Sequence, residues 1–376
     1  MGETFFKIKR LVENGTVKAF SSNFRLYGDM SWRVMKTLEQ WCSSMEIYSV
    51  DEAFLDFADF NDDEKTLGRT IVSTIKQWTG IPVSVGFAPT KTLCKIASEI
   101  AKQREETFVC SLMNETVRIE ALKSFDVADV WGVGRRLAPR FQKLGIRTAY
   151  DFSMIDPLWM RKNHSVIQEK IVHELRGEPC FCLDDVPEPK KSIQVSRSFG
   201  EATEQLEDLE EAVATFAAKA AEKARAQGSV ASAVYVHINT SRFRQDKSEY
   251  YSQGIMIGFP IPTASSFEII EYALSALRRI YISDKPYKKA TVILHELKDA
   301  DTALSQGFLF EKDDRRDTQQ RNTERKLMET MDAINRQHGK GAVFLGVEGI
   351  RKTWSPKQET VSPCYTTRLS DLPLVK

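Results

Sequence analysis

The sequence has little of what several specialised protein classes require. Cysteine occurs only 6 times in 376 residues, which is too sparse for a disulfide scaffold, and no second pair accompanies Cys180 and Cys182 at zinc-site spacing. No run of about 18 apolar residues is present, which excludes a membrane span. Residues 1–10 lack the apolar segment of a secretory signal. We therefore expect reduced thiols and a cytoplasmic protein.

An excess of charge of one sign is also lacking, because 53 Lys and Arg residues balance 52 Asp and Glu residues. The overall composition therefore does not indicate a nucleic-acid or membrane partner, and local clusters must be examined. The apolar fraction of 42% and the charged fraction of 28% are ordinary for a globular protein. At about 100–200 residues per domain, the length predicts two to four domains.

Hydrophobic periodicity divides the chain into three regions. Helix and strand patterns alternate in the first, with helices at 29–44, 64–79 and 91–103 and strands at 45–57 and 81–90. Residues 112–183 are helical in short pieces, and DDVPEPKK (184–191) indicates a linker. A β-α-β-β-α-β order follows, with strands at 191–200, 231–240, 250–258 and 288–298 and helices at 206–227 and 264–282. A polar stretch (301–322), a helix (323–338) and a tail complete the chain.

Two adjacent acids, Asp51 and Glu52, interrupt the apolar stretch 45–57. Neighbouring residues of a strand point to opposite faces, so the two carboxylates do not simply share one solvated face. Carboxylates against a sheet are costly unless a cation neutralises them, and Mg²⁺ prefers such hard oxygen ligands. The pair therefore predicts a Mg²⁺ site, with an acidic β-turn as the alternative.

A basic helix follows the acidic pair. Lys95 lies four residues after Lys91 and seven before Lys102, so that all three share one helix face. Such a face suits a triphosphate that is held by metal on one side and by ammonium groups on the other. The alternative is the ordinary solvated face of an amphipathic helix.

The segment VWGVGRRL places two glycines one residue apart in front of a helix. Gly132 and Gly134 allow consecutive backbone N–H groups to face an anion, and Arg135 and Arg136 add positive charge. With the downstream KLGI, this is the helix-hairpin-helix pattern, which holds a DNA backbone without reading its sequence. A purely structural turn is the alternative.

Several segments together resemble the Y-family DNA polymerases, the translesion enzymes. They are YSVDEAFLDF (48–57), VSVGFAPTKTLCKIASEIAK (83–102), VWGVGRR (130–136), LRGEP (175–179), SRSFGE (196–201) and SPCYTTRLSDL (362–372). Their order and spacing follow the family over essentially the whole chain, and the last two segments narrow the resemblance to UmuC-type proteins.

The resemblance implies an α+β, multidomain right-hand polymerase that consists of a palm sheet with helices, a helical thumb and a β-α-β-β-α-β little finger. The implied domains are a fingers remnant (1–19), the palm (20–111), a helix-hairpin-helix thumb (112–183), the linker (184–191), the little finger (192–300) and a C-terminal tail (301–376). The implied function is error-prone nucleotidyl transfer past damaged DNA, in DNA repair during the SOS response.

Roles for individual residues also come from the resemblance. In the family, the acids at the positions of Asp51 and Glu52 hold two catalytic Mg²⁺ ions. The lysine at the position of Lys102 contacts the triphosphate of the dNTP, and Lys95 is a weaker candidate. The residues with an implied role in binding primer–template DNA are Gly132, Gly134, Arg135, Arg136 and Arg197.

One family motif is not found in the printed sequence. The family opens with a strand that carries D-x-N-x-F-Y, whose Asp is a third metal ligand, whereas Met1-Gly2 aligns with a position inside the fingers. We therefore expect the printed chain to extend primers extremely poorly or not at all. The alternative function is a truncated, non-catalytic remnant that binds DNA and the sliding clamp.

A short peptide in the polar stretch predicts a protein partner. Gln306, Leu309 and Phe310 fit the Q-x-x-L-F pattern with which bacterial polymerases bind the sliding clamp. Two apolar anchors on an extended peptide suit a hydrophobic groove, and an ordinary loop is the alternative. The resemblance adds a UmuD-type dimer and RecA as partners, and no membrane.

Overall fold

The structure is a computed structural model that describes residues 3–57, 63–104, 107–183, 189–243, 250–300, 315–372 and 374, with residues 315–321 described in their backbone alone. The chain divides into two compact units. Unit 1 comprises Met1–Pro187 and Thr360–Lys376, and unit 2 comprises Glu188–Glu359. In the described part of the chain, no helix has both the length and the apolar composition that crossing a membrane requires.

Unit 1 opens with helices and short strands. They are α1 (Phe5–Glu13), α2 (Phe24–Leu38), β1 (Met45–Ile47), β2 (Ala53–Leu55), α3 (Glu64–Thr79), β3 (Val85–Phe87), α4 (Lys91–Lys102) and β4 (Val109–Ser111). β1 and β2 form an antiparallel hairpin, and β3 and β4 form a separate parallel pair. The sheet predicted for this region therefore consists of two strand pairs within the described residues.

Capping residues set the bounds of the two helices that follow the acidic hairpin. The Asp63 carboxylate accepts a hydrogen bond from the Thr66 N–H at the start of α3, and Gly80 ends it with a left-handed φ of 75°. The Thr90 hydroxyl caps α4 by accepting from the Leu93 N–H. These caps confirm the predicted helix 64–79 and the start of the basic helix at residue 91.

Short helices complete unit 1, as the sequence predicted for residues 112–183. They are α5 (Glu115–Ser124), α6 (Ala138–Lys143), α7 (Ala149–Ser153), α8 (Pro157–Asn163) and α9 (Val166–Arg176). Their core contains Phe141 and Phe152, whose ring centroids lie 5.0 Å apart. Leu93 and Ile96 of α4 belong to the same core, so the basic helix and the short helices are packed together.

Unit 2 has the predicted β-α-β-β-α-β order. Its elements are β5 (Ile193–Thr203), α10 (Leu206–Ala226), β6 (Ser229–Thr240), β7 (Ser252–Thr263), α11 (Ser266–Ile280), β8 (Tyr287–His295), β9 (Lys298–Asp299) and α12 (Arg315–His338). The strands lie in the order β5-β8-β6-β7 with antiparallel neighbours, and β9 pairs with β6.

The two faces of this sheet differ in character. Val234, Val236 and Ile238 of β6 are buried in the core that α10 and α11 share with the sheet. The alternate positions of β6 point to the other face, which we call the open face. The side chains that the strand register places there include Ser196, Ser198, Tyr235, His237, Asn239, Ser252, Met256, Lys289 and Thr291.

The C-terminal segment is packed where the structure describes it. In unit 2, Trp354 is 4% exposed, and its ring contacts Phe199 and Phe216. In unit 1, the Asn23 side-chain amide donates a hydrogen bond to the backbone oxygen of Ser362, at 2.7 Å. In the described part of the predicted C-terminal tail, a buried tryptophan and hydrogen bonds to the backbone thus hold these residues in place.

Candidate active site and nucleic-acid interface

Asp51 and Glu52 lie in the loop between β1 and β2, which we call the acidic loop (residues 48–52). The backbone N–H groups of Tyr48 and Ser49 both donate to the backbone carbonyl oxygen of Glu52, at 3.0 and 3.1 Å. The acids are therefore in a turn and not within a strand. This backbone geometry is that of the acidic β-turn, which the sequence analysis gave as the alternative. The turn brings both carboxylates to one end of the hairpin.

The two carboxylates have different surroundings. Asp51 is exposed and accepts a hydrogen bond from the Ser49 hydroxyl, at 2.6 Å. Glu52 forms an ion pair with Lys95, and its side chain is 40% exposed. Both present hard oxygen donors at the surface, so the pair fits Mg²⁺ chemically. Among the described residues, no cluster of three metal-ligating side chains occurs. Asp51 and Glu52 are therefore the two protein ligands that this loop could offer to Mg²⁺.

The basic helix α4 meets the acidic hairpin at its first two turns. Lys95 pairs with Glu52, and Lys91, whose side chain is 9% exposed, pairs with Glu46 of β1. Lys102 lies about 10 Å further along the helix axis than Lys95, where it is exposed and pairs with Glu99. The structure thus brings Lys95 to Glu52 and Lys91 to Glu46, whereas Lys102 pairs with Glu99 on its own helix.

Two aromatic residues connect the acidic loop to the short helices of unit 1. The indole N–H of Trp131 donates to the hydroxyl of Tyr48, at 3.1 Å. Their rings meet edge to face with centroids 5.7 Å apart, and the Lys95 ammonium lies 5.2 Å from the Tyr48 ring centroid. The sequence interpretation assigned no role to either residue, although both lie in its quoted motifs.

Glu174 of α9 is a fully buried carboxylate that fixes the start of α4. One of its oxygens accepts a hydrogen bond from the Thr92 N–H at 2.9 Å, and the other accepts from the N–H groups of Cys180 and Phe181 at 2.7 and 3.1 Å. The sequence interpretation missed this residue because a single glutamate in an amphipathic helix has no distinguishing signal.

The glycine segment predicted to bind DNA forms an ordered loop, residues 132–136. Gly132 has a φ of 86°, and a Cβ atom there would lie 2.5 Å from the Ile171 side chain. The Gln168 amide donates to the Gly132 oxygen, at 3.1 Å. Gly134, Arg135 and Arg136 are exposed, so the loop presents its two guanidinium groups to solvent.

Arg197 lies on the other unit and on the helix-covered side of its sheet. Its register partner on β8 is Ala290, which is fully buried and is paired with the buried Ile238. Its side chain nevertheless reaches solvent beside α10, where burial lowers the pKa of Lys219 and the charges of Lys352 and Arg197 lower it further. Arg197 is therefore not part of the open face.

The open face carries a histidine that is surrounded by donors and cations. The His237 Nε2 atom lies 3.0 Å from the Ser252 hydroxyl. Burial is the main cause of a pKa below the ordinary value for His237, and the positive charges of Lys289 and Arg242 lower it further.

All six cysteines are free thiols, as the sequence predicted. Cys94, on α4, is the most strongly affected, because burial raises the pKa of its thiol to about 11. Cys182 is exposed. The clamp-binding prediction, Gln306, Leu309 and Phe310, lies outside the described residues.

Comparison with protein families gives three matches. Residues 1–99 match the impB/mucB/samB family, and residues 190–307 match the impB/mucB/samB family C-terminal domain. Residues 325–375 match a domain of unknown function, DUF4113. That domain includes the C-terminal segment that is anchored by Trp354.

Individual relatives agree with the family matches. The chain is 39% identical over 379 residues to Protein UmuC of Salmonella typhimurium, covering 100% of this chain and 88% of the relative. It is 35% identical over 377 residues to Protein MucB of Escherichia coli, covering 100% of this chain and 87% of that protein. DNA polymerase IV of Caulobacter vibrioides is 26% identical over 352 residues, covering 92% and 80%.

A solved structure has the same fold. It is a Y-family DNA polymerase chimera, Dbh-Dpo4(243-245)-Dbh, with a TM-score of 0.57 and 20% sequence identity. The match covers 73% of this chain and 77% of that one. At this identity the likeness concerns the fold, and it agrees with the α+β, right-hand polymerase architecture expected from the sequence.

Proposed function

This chain belongs to the UmuC-type Y-family DNA polymerases, and from that premise we propose that it is an error-prone translesion polymerase. Against the expectation of poor extension that the missing D-x-N-x-F-Y motif gave, it extends a primer by template-directed nucleotidyl transfer and accepts damaged bases in the template. The observation that carries this proposal is the acidic loop, where Asp51 and Glu52 project beside Lys95 of the basic helix.

The proposed cofactor is a pair of Mg²⁺ ions held by Asp51 and Glu52. When bound, such ions activate the primer 3′-hydroxyl and neutralise the triphosphate and the leaving pyrophosphate. The chain contributes two adjacent hard oxygen donors on a loop that is open to solvent, and the Ser49 hydroxyl orients the Asp51 carboxylate.

Lys95 and Lys102 are the proposed contacts to the dNTP triphosphate. Lys95 neutralises Glu52 in the free protein. If Glu52 held a Mg²⁺ ion, the Lys95 ammonium group would be free to pair with a phosphate oxygen of the dNTP. Lys102 is exposed at the far end of α4, and its role rests on the family resemblance.

The proposed contacts to primer–template DNA involve both units. In unit 1, Gly132, Gly134, Arg135 and Arg136 form an ordered loop with exposed guanidinium groups, which suits backbone phosphates. In unit 2, the open face offers hydroxyl, amide and Lys289 side chains. Arg197 remains a proposed contact beside that sheet. We expect such binding to be independent of sequence and sensitive to salt.

Protein partners are proposed from the sequence. Gln306, Leu309 and Phe310 would bind the sliding clamp as an extended peptide with two apolar anchors. A UmuD-type dimer and RecA are proposed on the family relationship alone. The proposed location is the cytoplasm, because the substrate is bacterial DNA.

Primer extension with Mg²⁺ and four dNTPs tests the function. We expect Asp51→Ala and Glu52→Gln to lower the rate at least about a hundredfold, because each removes transition-state charge stabilisation worth several kcal/mol. Asp29→Asn is the matched control, since Asp29 is a carboxylate on α2 that pairs with Arg33.

Two outcomes would contradict the proposal. Extension that is unaffected by Asp51→Ala would show that the acidic loop is not the reaction centre. Tight, salt-sensitive DNA binding without extension by the unsubstituted protein would favour the alternative function, a non-catalytic protein that binds DNA and the clamp.

A further inference from the structure

Trp131 joins the acidic loop to the glycine loop. Trp131 immediately precedes Gly132, and Tyr48 is the first residue of the acidic loop. The hydrogen bond between the Trp131 indole and the Tyr48 hydroxyl therefore connects the two loops directly. The Trp131 ring also packs against Phe54 of β2 and Phe181, with centroid distances of 6.2 and 5.4 Å.

The acidic loop has little intrinsic stability. The strands on either side of it, β1 and β2, contain three residues each, and an isolated two-stranded hairpin is at best marginally stable. Tyr48 is 45% exposed, so burial does not fix its ring. Its orientation instead depends on three contacts, which are Trp131, Phe54 and the Lys95 ammonium.

The orientation of Tyr48 affects the carboxylates through the backbone. The backbone N–H of Tyr48 donates to the backbone carbonyl oxygen of Glu52, and this hydrogen bond closes the loop around Asp51. A Tyr48 ring that is free to move would loosen this closure, and with it the positions of both acids. The geometry of catalytic groups must be held to within about 0.5 Å for efficient reaction.

We propose that Trp131 and Tyr48 are positioning residues that hold the acidic loop in its reactive geometry. This inference rests on the proposed function, which it extends by two residues that are not among the proposed metal or nucleotide contacts. It also explains how the loop that would hold the DNA backbone and the loop that carries the acids are fixed relative to each other.

The test uses Tyr48→Phe, Trp131→Phe and the double variant. Tyr48→Phe is the cleaner change, because it removes the hydroxyl and keeps the ring. Trp78→Phe is the matched control, since Trp78 is 60% exposed on α3. The first measurement is hydrogen exchange at the amides of Tyr48 and Ser49, and the second is single-nucleotide incorporation, with kcat and KM for dNTP determined separately.

We expect both single variants to exchange these amides about threefold to tenfold faster, in line with the loss of one hydrogen bond. We expect kcat to fall by a similar factor, with KM for dNTP and the Kd for DNA changed less than twofold. The double variant should match Trp131→Phe, because the hydrogen bond that Tyr48→Phe removes is already absent in that variant. The control variant, Trp78→Phe, should show the amide exchange rates and the kcat of the unsubstituted protein.

Unchanged exchange in Tyr48→Phe, or a double variant whose effect is the product of the single effects, would overturn the inference. A change in KM alone would do so as well, since it would indicate a role in nucleotide binding. If the unsubstituted protein does not extend primers, the proposed function fails, while the exchange measurement still decides whether the hydrogen bond holds the acidic loop.

Discussion

Removing the buried carboxylate of Glu174 should destabilise unit 1 strongly. Glu174→Ala leaves three backbone N–H groups, those of Thr92, Cys180 and Phe181, without their acceptor. An unsatisfied buried donor costs about 1–3 kcal/mol. Thr92 is fully buried, whereas Cys180 and Phe181 are partly exposed and can reach water. We therefore expect a loss of about 3–5 kcal/mol in the free energy of unfolding.

Glu174→Gln should keep the hydrogen bonds to one carboxylate oxygen and remove the hydrogen bond to the other. The carboxylate oxygen that accepts from both Cys180 and Phe181 has a counterpart in the Gln oxygen. The Gln NH₂ group would instead face the Thr92 N–H, donor against donor. One hydrogen bond is lost, so we expect a loss of about 1–3 kcal/mol, which is clearly smaller than the loss for Ala.

Thermal unfolding followed by tryptophan fluorescence measures this difference. Of the 6 tryptophans, only Trp354 lies in unit 2, so the signal reports mainly on unit 1. At about 2–4 °C per kcal/mol for a unit of this size, Glu174→Ala should lower the Tm by roughly 6–20 °C and Glu174→Gln by roughly 2–12 °C.

Glu178→Ala is the control, because the side chain of Glu178 is 60% exposed and pairs with His173. Such surface pairs contribute little to stability, so its Tm should stay within about 2 °C of the unsubstituted protein. The reasoning is refuted if Glu174→Ala behaves like this control, or if Ala and Gln at position 174 are equally destabilising.

Three further predictions follow from other parts of the molecule. Arg135→Ala should weaken DNA binding equally for all sequences and lower the log–log salt slope by about one, measured by titration at several salt concentrations; an unchanged slope would make the glycine loop a structural turn. Leu309→Ala with Phe310→Ala should abolish binding to purified clamp while DNA affinity stays the same, and retained clamp binding would contradict the docking peptide. A thiol reagent at pH 8 should modify the exposed Cys182 within minutes and Cys94 far more slowly, because Cys94 is only partly exposed and burial raises the pKa of its thiol to about 11; mass spectrometry that finds equally rapid labelling of Cys94 would show that α4 is loosely packed.

Local signals explain why much of the fold could be predicted from sequence. Helix α3 was predicted with its observed bounds, because Asp63 is an N-cap and Gly80 adopts the left-handed conformation that ends a helix. The order of elements in unit 2 was predicted because its strands and helices have clear hydrophobic periodicity. These features depend on residues that are near one another in the sequence.

Contacts between distant residues could not be predicted in the same way. The spacing of Lys91, Lys95 and Lys102 indicates one helix face, but it does not show which turn of the helix meets the acids. Arg197 shares its strand face with Val195 and Phe199, and it is their burial and the pairing with Ala290 that assign this face to the helix-covered side. Burial that depends on packing between elements has no local pattern.

Two buried residues, one beside the candidate site and one in unit 2, had no interpretable signal in the sequence alone. Glu174 looks like one of many helix glutamates, although its buried carboxylate accepts three hydrogen bonds from backbone N–H groups. Trp354 lies in a polar C-terminal region, although it is buried between aromatic rings. Both act through partners far away along the chain, which only the folded structure brings together.

The most direct test of the central claim is single-nucleotide incorporation opposite an abasic site in a primer–template, in the presence of Mg²⁺. We predict that the unsubstituted protein inserts a nucleotide there, and that Asp51→Ala binds the same DNA with unchanged Kd but inserts at least about a hundredfold more slowly. Equal insertion by the two proteins would contradict the assignment of the acidic loop as the catalytic centre of a translesion polymerase.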